Sequence, residues 1–283
     1  MHISSKVSIG DVKGYLRYRR GTLSGFFNNV AELGGFLRGK PALHRRSPQG
    51  DGHPVLVIPA FTGHDALTKP MRHTLERKGY KAYAWEAGLN LGMTDKKATH
   101  LARHLKKIYD ANGGRKVTIV GHSLGGFYAR TLAQEFPEMV RAVVTINTPF
   151  GVGLNRTATP PAVLSMIDGL NGEKYSLNKP GVAERLLTPP PVPTTSIFSK
   201  TDAVAGWQAC LNPKSPLAEN IEVTASHIGG VWSEKVIEVV LDRLAQQEGG
   251  WLPYKTPAPY APPQNPNWQQ PKKAQEWRFY PKP

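Results

Sequence analysis

Residues 117–126 read Val-Thr-Ile-Val-Gly-His-Ser-Leu-Gly-Gly, and the fold can be worked out from this stretch. Its first four residues are a β-branched run that predicts a buried strand, and apolar residues recur at helical spacing after its last glycine until Pro137. Between strand and helix, Gly-x-Ser-x-Gly predicts a sharp turn that lifts the hydroxyl of Ser123 clear of the sheet. The helix that follows directs its positive amino-terminal end at Ser123 and favours a negative oxygen there.

A serine hydroxyl is a weak nucleophile, so it needs a base to take its proton and an acid to orient that base. After a strand–serine–helix turn, the expected chain order is serine, acid and then histidine. Asp202 follows a predicted strand at Thr195–Ser199, and His227 follows a predicted last strand at Ile221–Ala225. We therefore predict that Asp202 and His227 are the partners of Ser123. The alternatives are that Asp202 only caps a turn and that His227 is a structural histidine.

The remaining histidines do not fit this order or position. Those at positions 2, 44, 53 and 64 precede the serine. His122 lies inside the turn, where we expect its side chain to pack beside the serine but to point elsewhere. Three others lie in helix-like stretches and are predicted to be surface residues: His73, His100 and His104.

Acyl transfer also requires two backbone N–H groups that hold the negative oxygen of the tetrahedral intermediate. One should belong to Leu124, which directly follows the serine. The other should come from the loop at 59–63, Pro-Ala-Phe-Thr-Gly, which follows the first buried strand. Phe61 is the candidate donor in that loop. The alternative is that the loop is an ordinary turn between a strand and a helix.

Predicted strands and helices alternate along the core of the chain. The strands fall near 55–59, 81–85, 117–121, 142–147, 195–199 and 221–225, and the helices near 65–78, 94–112, 124–136 and 233–246. This alternation predicts an α/β fold with a mostly parallel sheet of about six strands and helices on both faces. Ligands bind such sheets at the carboxyl ends of the strands, and all the candidate site residues fall at those ends.

The chain divides into three predicted parts: an N-terminal helical segment and connector (1–54), an α/β domain (55–248) and a proline-rich tail (249–283). The amphipathic pattern at 12–38 predicts helices that pack on the domain, with contact to a membrane surface or a second copy as the alternative. The insert at 148–193 is predicted to be a cap or lid over the site, the alternative being a structural crossover. The tail either wraps the domain through its aromatic residues or is mobile.

Composition restricts the class of function. The chain has 283 residues, a formal net charge of +15 and one cysteine, Cys210, which is predicted to be a packed thiol. No apolar run could span a bilayer and no secretory signal is recognisable, so a cytoplasmic protein is predicted unless a signal was removed. The charge favours an anionic membrane surface or acidic substrates over nucleic acid, since no nucleic-acid module is present. The alternative is that the charge only keeps the chain soluble. No metal-ligand spacing is recognisable, and the predicted chemistry needs no cofactor.

Together these segments resemble the α/β-hydrolase family and, within it, the lipases and esterases. The resemblance runs roughly from Val55 to Gln247, and its matching parts are 55–63, 117–126, the strand end at Asp202 and 226–229. The loop after the first strand has Ala60 where such lipases usually have glycine. The resemblance implies these roles: Ser123 as nucleophile, His227 as base, Asp202 as orienting acid, and Phe61 and Leu124 as oxyanion donors.

The predicted function is therefore a serine hydrolase that cleaves carboxylic esters, with an acyl or lipid-like substrate, through an acyl-enzyme on Ser123. Three alternatives remain open. The first is an acyltransferase that passes the acyl group to an alcohol or amine other than water. The second is a non-catalytic binding protein, because a fold does not fix a function. The third is a basic adaptor for lipid surfaces or nucleic acid, with its function in the terminal segments.

Overall fold

Six strands form one parallel sheet in the computed structural model. They are β1 (Pro54–Ile58), β2 (Lys81–Tyr83), β3 (Val117–His122), β4 (Val140–Ile146), β5 (Thr194–Phe198) and β6 (Ala218–Glu222). Their order across the sheet is β2-β1-β3-β4-β5-β6, and every neighbouring pair is parallel. The strand order reverses between β1 and β3, which is where an open α/β sheet forms a crevice at its carboxyl edge.

The structure describes most of the α/β domain and the last residues of the tail. The described residues are 47–151, 168–176, 181–202, 204–254 and 278–283, together with Ser165 and Lys179. The predicted N-terminal helices at 12–38 lie outside the described residues. Parts of the predicted cap and most of the proline-rich tail also lie outside them.

The described residues include five helices, which cover both faces of the sheet. They are α1 (Asp65–Arg77), α2 (Asp95–Ala111), α3 (Leu124–Glu135), α4 (Val182–Leu187) and α5 (Glu234–Leu244). Residues of α2, α3 and α4 belong to the hydrophobic cluster on one face, and residues of α1 and α5 to that on the other. Leu56 and Ile58 of β1 join the first cluster, whereas Val55 and Val57 join the second. Because both faces are covered, this strand is apolar at every one of these positions.

The predicted fold class is confirmed, and the bounds of α1, α2, α3 and α5 lie within two residues of those expected. The last strand differs, since β6 begins and ends three residues before the predicted Ile221–Ala225. Its extent is set by pairing with β5, and the last pair joins Phe198 to Glu222. Val223 still donates its N–H to the backbone oxygen of Phe198 at 2.9 Å, and the chain then leads into the loop that carries His227.

The prediction that His104 lies on the surface is wrong. The residue is only 6% exposed, and its Nε2 atom is 2.8 Å from the backbone oxygen of Ala84. The reason is helical spacing: His104 lies three residues after Leu101 and four before Ile108, and both of these are buried on the inner face of α2. The polar character of a helical residue therefore does not by itself place that residue on the surface.

Membrane insertion, metal binding and thiol chemistry can each be checked in the described part of the chain. None of its helices combines the length and apolarity needed to cross a bilayer. In the same residues, no group of His, Cys, Asp and Glu side chains could hold a metal ion. Cys210 is 1% exposed, and burial raises the pKa of its thiol well above the ordinary value. A buried thiol that stays protonated is a packing residue and not a nucleophile.

A buried histidine at the amino end of the sheet is hydrogen-bonded to an acid and a hydroxyl. His53 Nδ1 lies 2.5 Å from Asp51 Oδ1, and His53 Nε2 lies 3.1 Å from Thr118 Oγ1. The histidine is 1% exposed and precedes β1, at the end of the sheet opposite the Phe61 loop, so its role is structural. Burial, reinforced by the nearby Arg141 guanidinium, lowers the pKa of His53 to about 4.

This shift predicts that the free energy of unfolding falls as the pH drops from 6.5 towards about 4. In that window the unfolded chain protonates His53 and the folded chain does not, so stability declines by up to about 1.4 kcal/mol per pH unit. Above the window the stabilisation is fully present. Urea midpoints across the window test this, and His53→Gln should show a weaker pH dependence. If the free energy of unfolding depended equally on pH in the wild type and in His53→Gln, His53 would not be the source of this pH dependence.

Candidate active site

Ser123 occupies the turn between β3 and α3 in a conformation that non-glycine residues rarely adopt. Its φ is 50° and its ψ is −118°. Its N–H donates to the backbone oxygen of Ile146 at 2.8 Å. A Cβ atom at Gly121 would lie 2.5 Å from the backbone oxygen of Gly125, and one at Gly125 would lie 2.5 Å from that of Ile58. The two glycines are therefore required by close backbone approach.

His227 and Asp202 lie in series behind this serine. Ser123 Oγ is 3.0 Å from His227 Nε2, and His227 Nδ1 is 2.6 Å from Asp202 Oδ2. The acid side chain is 1% exposed and the imidazole 12% exposed. A carboxylate can only accept hydrogen bonds, so Nδ1 carries the ring proton and donates it to Asp202. The lone pair of Nε2 therefore faces the hydroxyl, whose proton it accepts.

The carboxylate of Asp202 is held through its other oxygen. Oδ1 accepts the backbone N–H groups of Val204 and Ala205 at 2.7 and 2.8 Å. The acid loop is also bonded to the loop that follows β6, because the N–H of Ala225 donates to Ser199 Oγ at 3.2 Å. These contacts aim the second oxygen of Asp202 at the imidazole and link the two loops that carry acid and base.

His122 and Asn147 hold the backbone of the histidine loop, a role that the sequence did not indicate for either residue. Complete burial lowers the pKa of His122 to about 3, so its ring is neutral at physiological pH. Its Nε2 lies 2.7 Å from the backbone oxygen of His227 and donates to it, which directs the ring away from the serine. Asn147 Nδ2 donates to the backbone oxygen of Ser226 at 3.2 Å. Two neighbouring strand ends thus fix two successive carbonyls beside the imidazole.

The two candidate oxyanion donors lie on segments that touch each other. Leu124 is the first residue of α3, and Phe61 lies in the loop after β1, half-buried against the core. The first turn of α3 packs on the start of that loop, since a Cβ at Gly125 would lie 2.7 Å from the backbone oxygen of Pro59. In the described residues, neither the Phe61 nor the Leu124 N–H has a backbone hydrogen-bond acceptor.

Asn90 fixes the loop after β1, a role that the sequence did not indicate. It is fully buried, and its Nδ2 donates to the backbone oxygen of Pro59 at 2.8 Å. Its backbone exchanges two further bonds with the loop, from Thr62 N–H to Asn90 and from Asn90 N–H to Gly63, each 2.8 Å. From the sequence, the position of residues 86–93 after a strand end indicates only that this loop could line the pocket.

Backbone strain is concentrated at the same edge of the sheet. Among the described residues, four non-glycine residues have positive φ: Thr62, Glu86, Ser123 and Asn147. They follow β1, β2, β3 and β4, respectively. Such conformations cost about 1–3 kcal/mol each and persist where surrounding contacts enforce them, which is common at functional sites. At the carboxyl edge of the sheet, the backbone therefore adopts unfavourable conformations that position the side chains there.

An apolar cavity lies along α3, next to the serine turn. Its enclosed volume is about 20 Å³, roughly the space of one water molecule, within about 340 Å³ of non-atom space that includes open solvent. Leu124 and Tyr128 of α3 line one side, and Tyr175 and Leu186 of the insert line another. The C-terminal segment 278–283 also contributes to its wall. Part of the insert therefore covers α3.

A parallel sheet with a serine on the turn after β3, an acid after β5 and a histidine after β6 has the architecture of an α/β-hydrolase. The family model for the α/β hydrolase fold matches residues 54–190. This match covers β1 to β4 and the serine turn. The chain therefore has the α/β-hydrolase fold.

Two bacterial relatives are similar to part of the chain. The triacylglycerol lipases of Pseudarthrobacter phenanthrenivorans and Burkholderia plantarii are each 29% identical to it over 107 residues. The matches cover 34% of this chain and 33% and 29% of the two lipases, so the chain spans about a third of their length. A solved structure from work on LipS and LipT, two metagenome-derived lipolytic enzymes, matches with a TM-score of 0.51 and 16% identity. That match covers 70% of this chain and 95% of the solved one, and it shows a shared fold.

Proposed function

We propose that this chain is a serine hydrolase that cleaves carboxylic esters through an acyl-enzyme on Ser123. One observation carries the proposal. Ser123, His227 and Asp202 are hydrogen-bonded in series at 3.0 and 2.6 Å, and Ser123 lies on a strained turn at the carboxyl edge of the sheet. The similarity to two proteins named triacylglycerol lipases supports an ester as the substrate. Each proton that moves in the reaction is accepted or donated by His227.

In the first half-reaction, Ser123 Oγ attacks the carbonyl carbon of the ester while His227 Nε2 takes the hydroxyl proton. The carbonyl oxygen gains the electron pair of its π bond and is held by the N–H groups of Phe61 and Leu124. Asp202 stabilises the imidazolium that forms. When the bond to the leaving oxygen breaks, His227 protonates that oxygen, which releases an alcohol and leaves the acyl group on Ser123.

In the second half-reaction, His227 takes a proton from water, and the resulting hydroxide adds to the acyl carbonyl. Collapse of this second intermediate releases the carboxylic acid and returns the proton to Ser123 Oγ. Asp202 keeps the ring proton on Nδ1 throughout, so that Nε2 can alternate between accepting and donating. His122 is neutral and holds the backbone of the base without competing for the proton.

Hydrolysis of p-nitrophenyl butyrate, followed with and without a fluorophosphonate probe, tests the proposal. The protein should release nitrophenol and should lose activity in proportion to the fraction labelled. A protein that neither hydrolyses short and medium p-nitrophenyl esters nor reacts with the probe would contradict the proposal. Product analysis with an added alcohol separates hydrolysis from acyl transfer, because a transferase would form mainly the new ester.

Replacing Asn90 with Asp should lower kcat by about 10²-fold with little change in KM, which approaches the effect of losing one oxyanion donor. The substitution replaces the Nδ2–H that bonds Pro59 with an oxygen facing an oxygen, so the loop that presents the Phe61 N–H shifts. Steady-state kinetics with p-nitrophenyl butyrate measure both constants.

Asn112→Asp is the matched control for this variant. Asn112 is also buried and also donates its Nδ2 to a backbone oxygen, that of Ile108, but it lies at the end of α2 away from the serine. Asn112→Asp should destabilise the protein and leave kcat close to that of the wild type. A similar loss of kcat in the two variants would mean that Asn90 acts only through general stability.

A further inference from the structure

We propose that Phe279 and Tyr280, close to the C-terminal end, form the end wall of the acyl pocket and set the length of the acyl group that the enzyme accepts. This inference rests on the proposed ester hydrolysis and identifies residues that determine its specificity. The composition of the proline-rich tail does not predict that its residues enter the core. The rings of Phe279 and Tyr280 are nevertheless buried in the hydrophobic cluster that includes α3.

A buried acid anchors this segment to α3. The side chain of Glu135 is 4% exposed and lies at the end of that helix. Its Oε1 accepts the N–H of Phe279 at 2.6 Å, and its Oε2 accepts the N–H of Tyr280 at 3.1 Å. Arg185 of α4 lies 2.6 Å from Oε1 and balances the negative charge. Charge-assisted hydrogen bonds to two successive backbone groups fix the path of the segment over the helix.

The two rings connect α3 to the insert. Phe279 is 6% exposed and Tyr280 is 1% exposed. The hydroxyl of Tyr280 is 2.9 Å from Thr131 Oγ1 in α3. The ring of Phe279 stacks on that of Tyr175 in the insert, with centroids 5.9 Å apart. The C-terminal segment therefore fills the space between the helix that follows the serine and the described part of the cap.

The cavity follows one face of α3 away from the serine. The residues of that helix that line it are Leu124, Phe127, Tyr128 and Thr131. Their spacing places them on one helical face. Leu124 directly follows Ser123, whereas Thr131 lies roughly 10 Å further along the helix axis. Because Tyr280 is bonded to Thr131, its ring stands at the end of the cavity that is distant from the serine.

The wall presents hydrocarbon to a ligand, although several lining side chains carry hydroxyls. Tyr128 donates its hydroxyl proton to Asn90 Oδ1, and Tyr175 donates to Asp95 Oδ1. The hydroxyls of Thr131 and Tyr280 bond to each other. With these hydroxyls partnered inside the protein, the cavity suits an apolar chain. Because the enclosed space is only about 20 Å³, an acyl chain that enters beside Leu124 would meet the two aromatic rings after a short distance along α3.

The test is the chain-length preference of Tyr280→Ala. We expect the ratio of kcat/KM for p-nitrophenyl laurate to that for p-nitrophenyl butyrate to rise by at least about tenfold, since each methylene taken into an apolar pocket contributes that much or more. Tyr280→Phe keeps the ring and should keep the wild-type ratio. Tyr254→Ala is the matched control, because Tyr254 packs on the opposite face of the sheet beside Arg243, and it should not change the ratio.

Each outcome decides the matter. An unchanged ratio in Tyr280→Ala, with equal losses on both esters, would overturn the inference and show that the ring only stabilises the fold. If Tyr280→Ala does not fold, Tyr280→Trp fills the cavity further and should lower the ratio, and an unchanged ratio there would also overturn the inference. Failure of the proposed function is distinguishable, because the wild-type protein would then hydrolyse neither ester.

Discussion

Replacing Ser123 with Ala should lower kcat for p-nitrophenyl butyrate by about 10⁴- to 10⁶-fold and leave the melting temperature close to that of the wild type. The substitution removes the oxygen that attacks the substrate. It should not disturb the fold. The contact that is lost is the one between Ser123 Oγ and the His227 side chain, and alanine at a φ of 50° is strained much as serine is. Steady-state kinetics and thermal unfolding of the two proteins measure both expectations.

Ser233→Ala is the control for this variant. Ser233 is buried and precedes α5, but its side chain makes no capping hydrogen bond. It should retain the wild-type kcat. If Ser123→Ala retained most of the esterase activity, attack by this hydroxyl would be excluded. Equal losses in both variants would mean that removal of any buried hydroxyl impairs the protein.

Asp202→Asn should lower kcat by about 10⁴-fold through the tautomer of the histidine. The oxygen of the new amide would keep the N–H groups of Val204 and Ala205, so the NH₂ group would face His227 Nδ1. Nδ1 would then have to accept a hydrogen bond, and the ring proton would move to Nε2. An Nε2 atom that carries a proton cannot take the proton of Ser123. Kinetics and the rate of fluorophosphonate labelling should fall together, since the same base activates the serine for both.

Asp110→Asn is the matched control, because Asp110 is an exposed acid that pairs with Lys106 on α2 at 2.6 Å. It should leave both rates unchanged. A wild-type kcat in Asp202→Asn would contradict the role of the acid. A fall in kcat without a fall in the labelling rate would place the effect in a later step than the activation of Ser123.

The parts of the fold that depend on local chemistry could be predicted from the sequence. Strands covered on both faces favour apolar residues on both sides, and residues 55–58 of β1 and residues 119–120 of β3 show this pattern. The turn at Ser123 needs glycines because the backbones of β1, β3 and α3 approach too closely for a Cβ. Chain order then indicated Asp202 and His227, and in the structure His227 lies within hydrogen-bond distance of both Asp202 and Ser123.

Contacts between distant segments could not be predicted in this way. His122 was expected only to point away from the serine, and its bond to the backbone of His227 depends on how two loops meet. Asn90 is similar, because its partners in the loop after β1 become neighbours only once β1 and β2 pair. Tyr280 lies in a proline-rich tail, and its burial depends on Glu135 from a remote helix. In each case the partner of a buried polar group is chosen by the fold and not by the adjacent sequence.

The presence of the acyl group on Ser123 during turnover is the most direct test of the proposed mechanism. Protein mixed with p-nitrophenyl butyrate, quenched in acid during the first turnovers and digested should carry one butyryl group on the peptide that contains Ser123, as measured by mass spectrometry. Ser123→Ala should carry none. Consumption of the ester with no butyryl group on Ser123, or with that group on another residue, would contradict the mechanism.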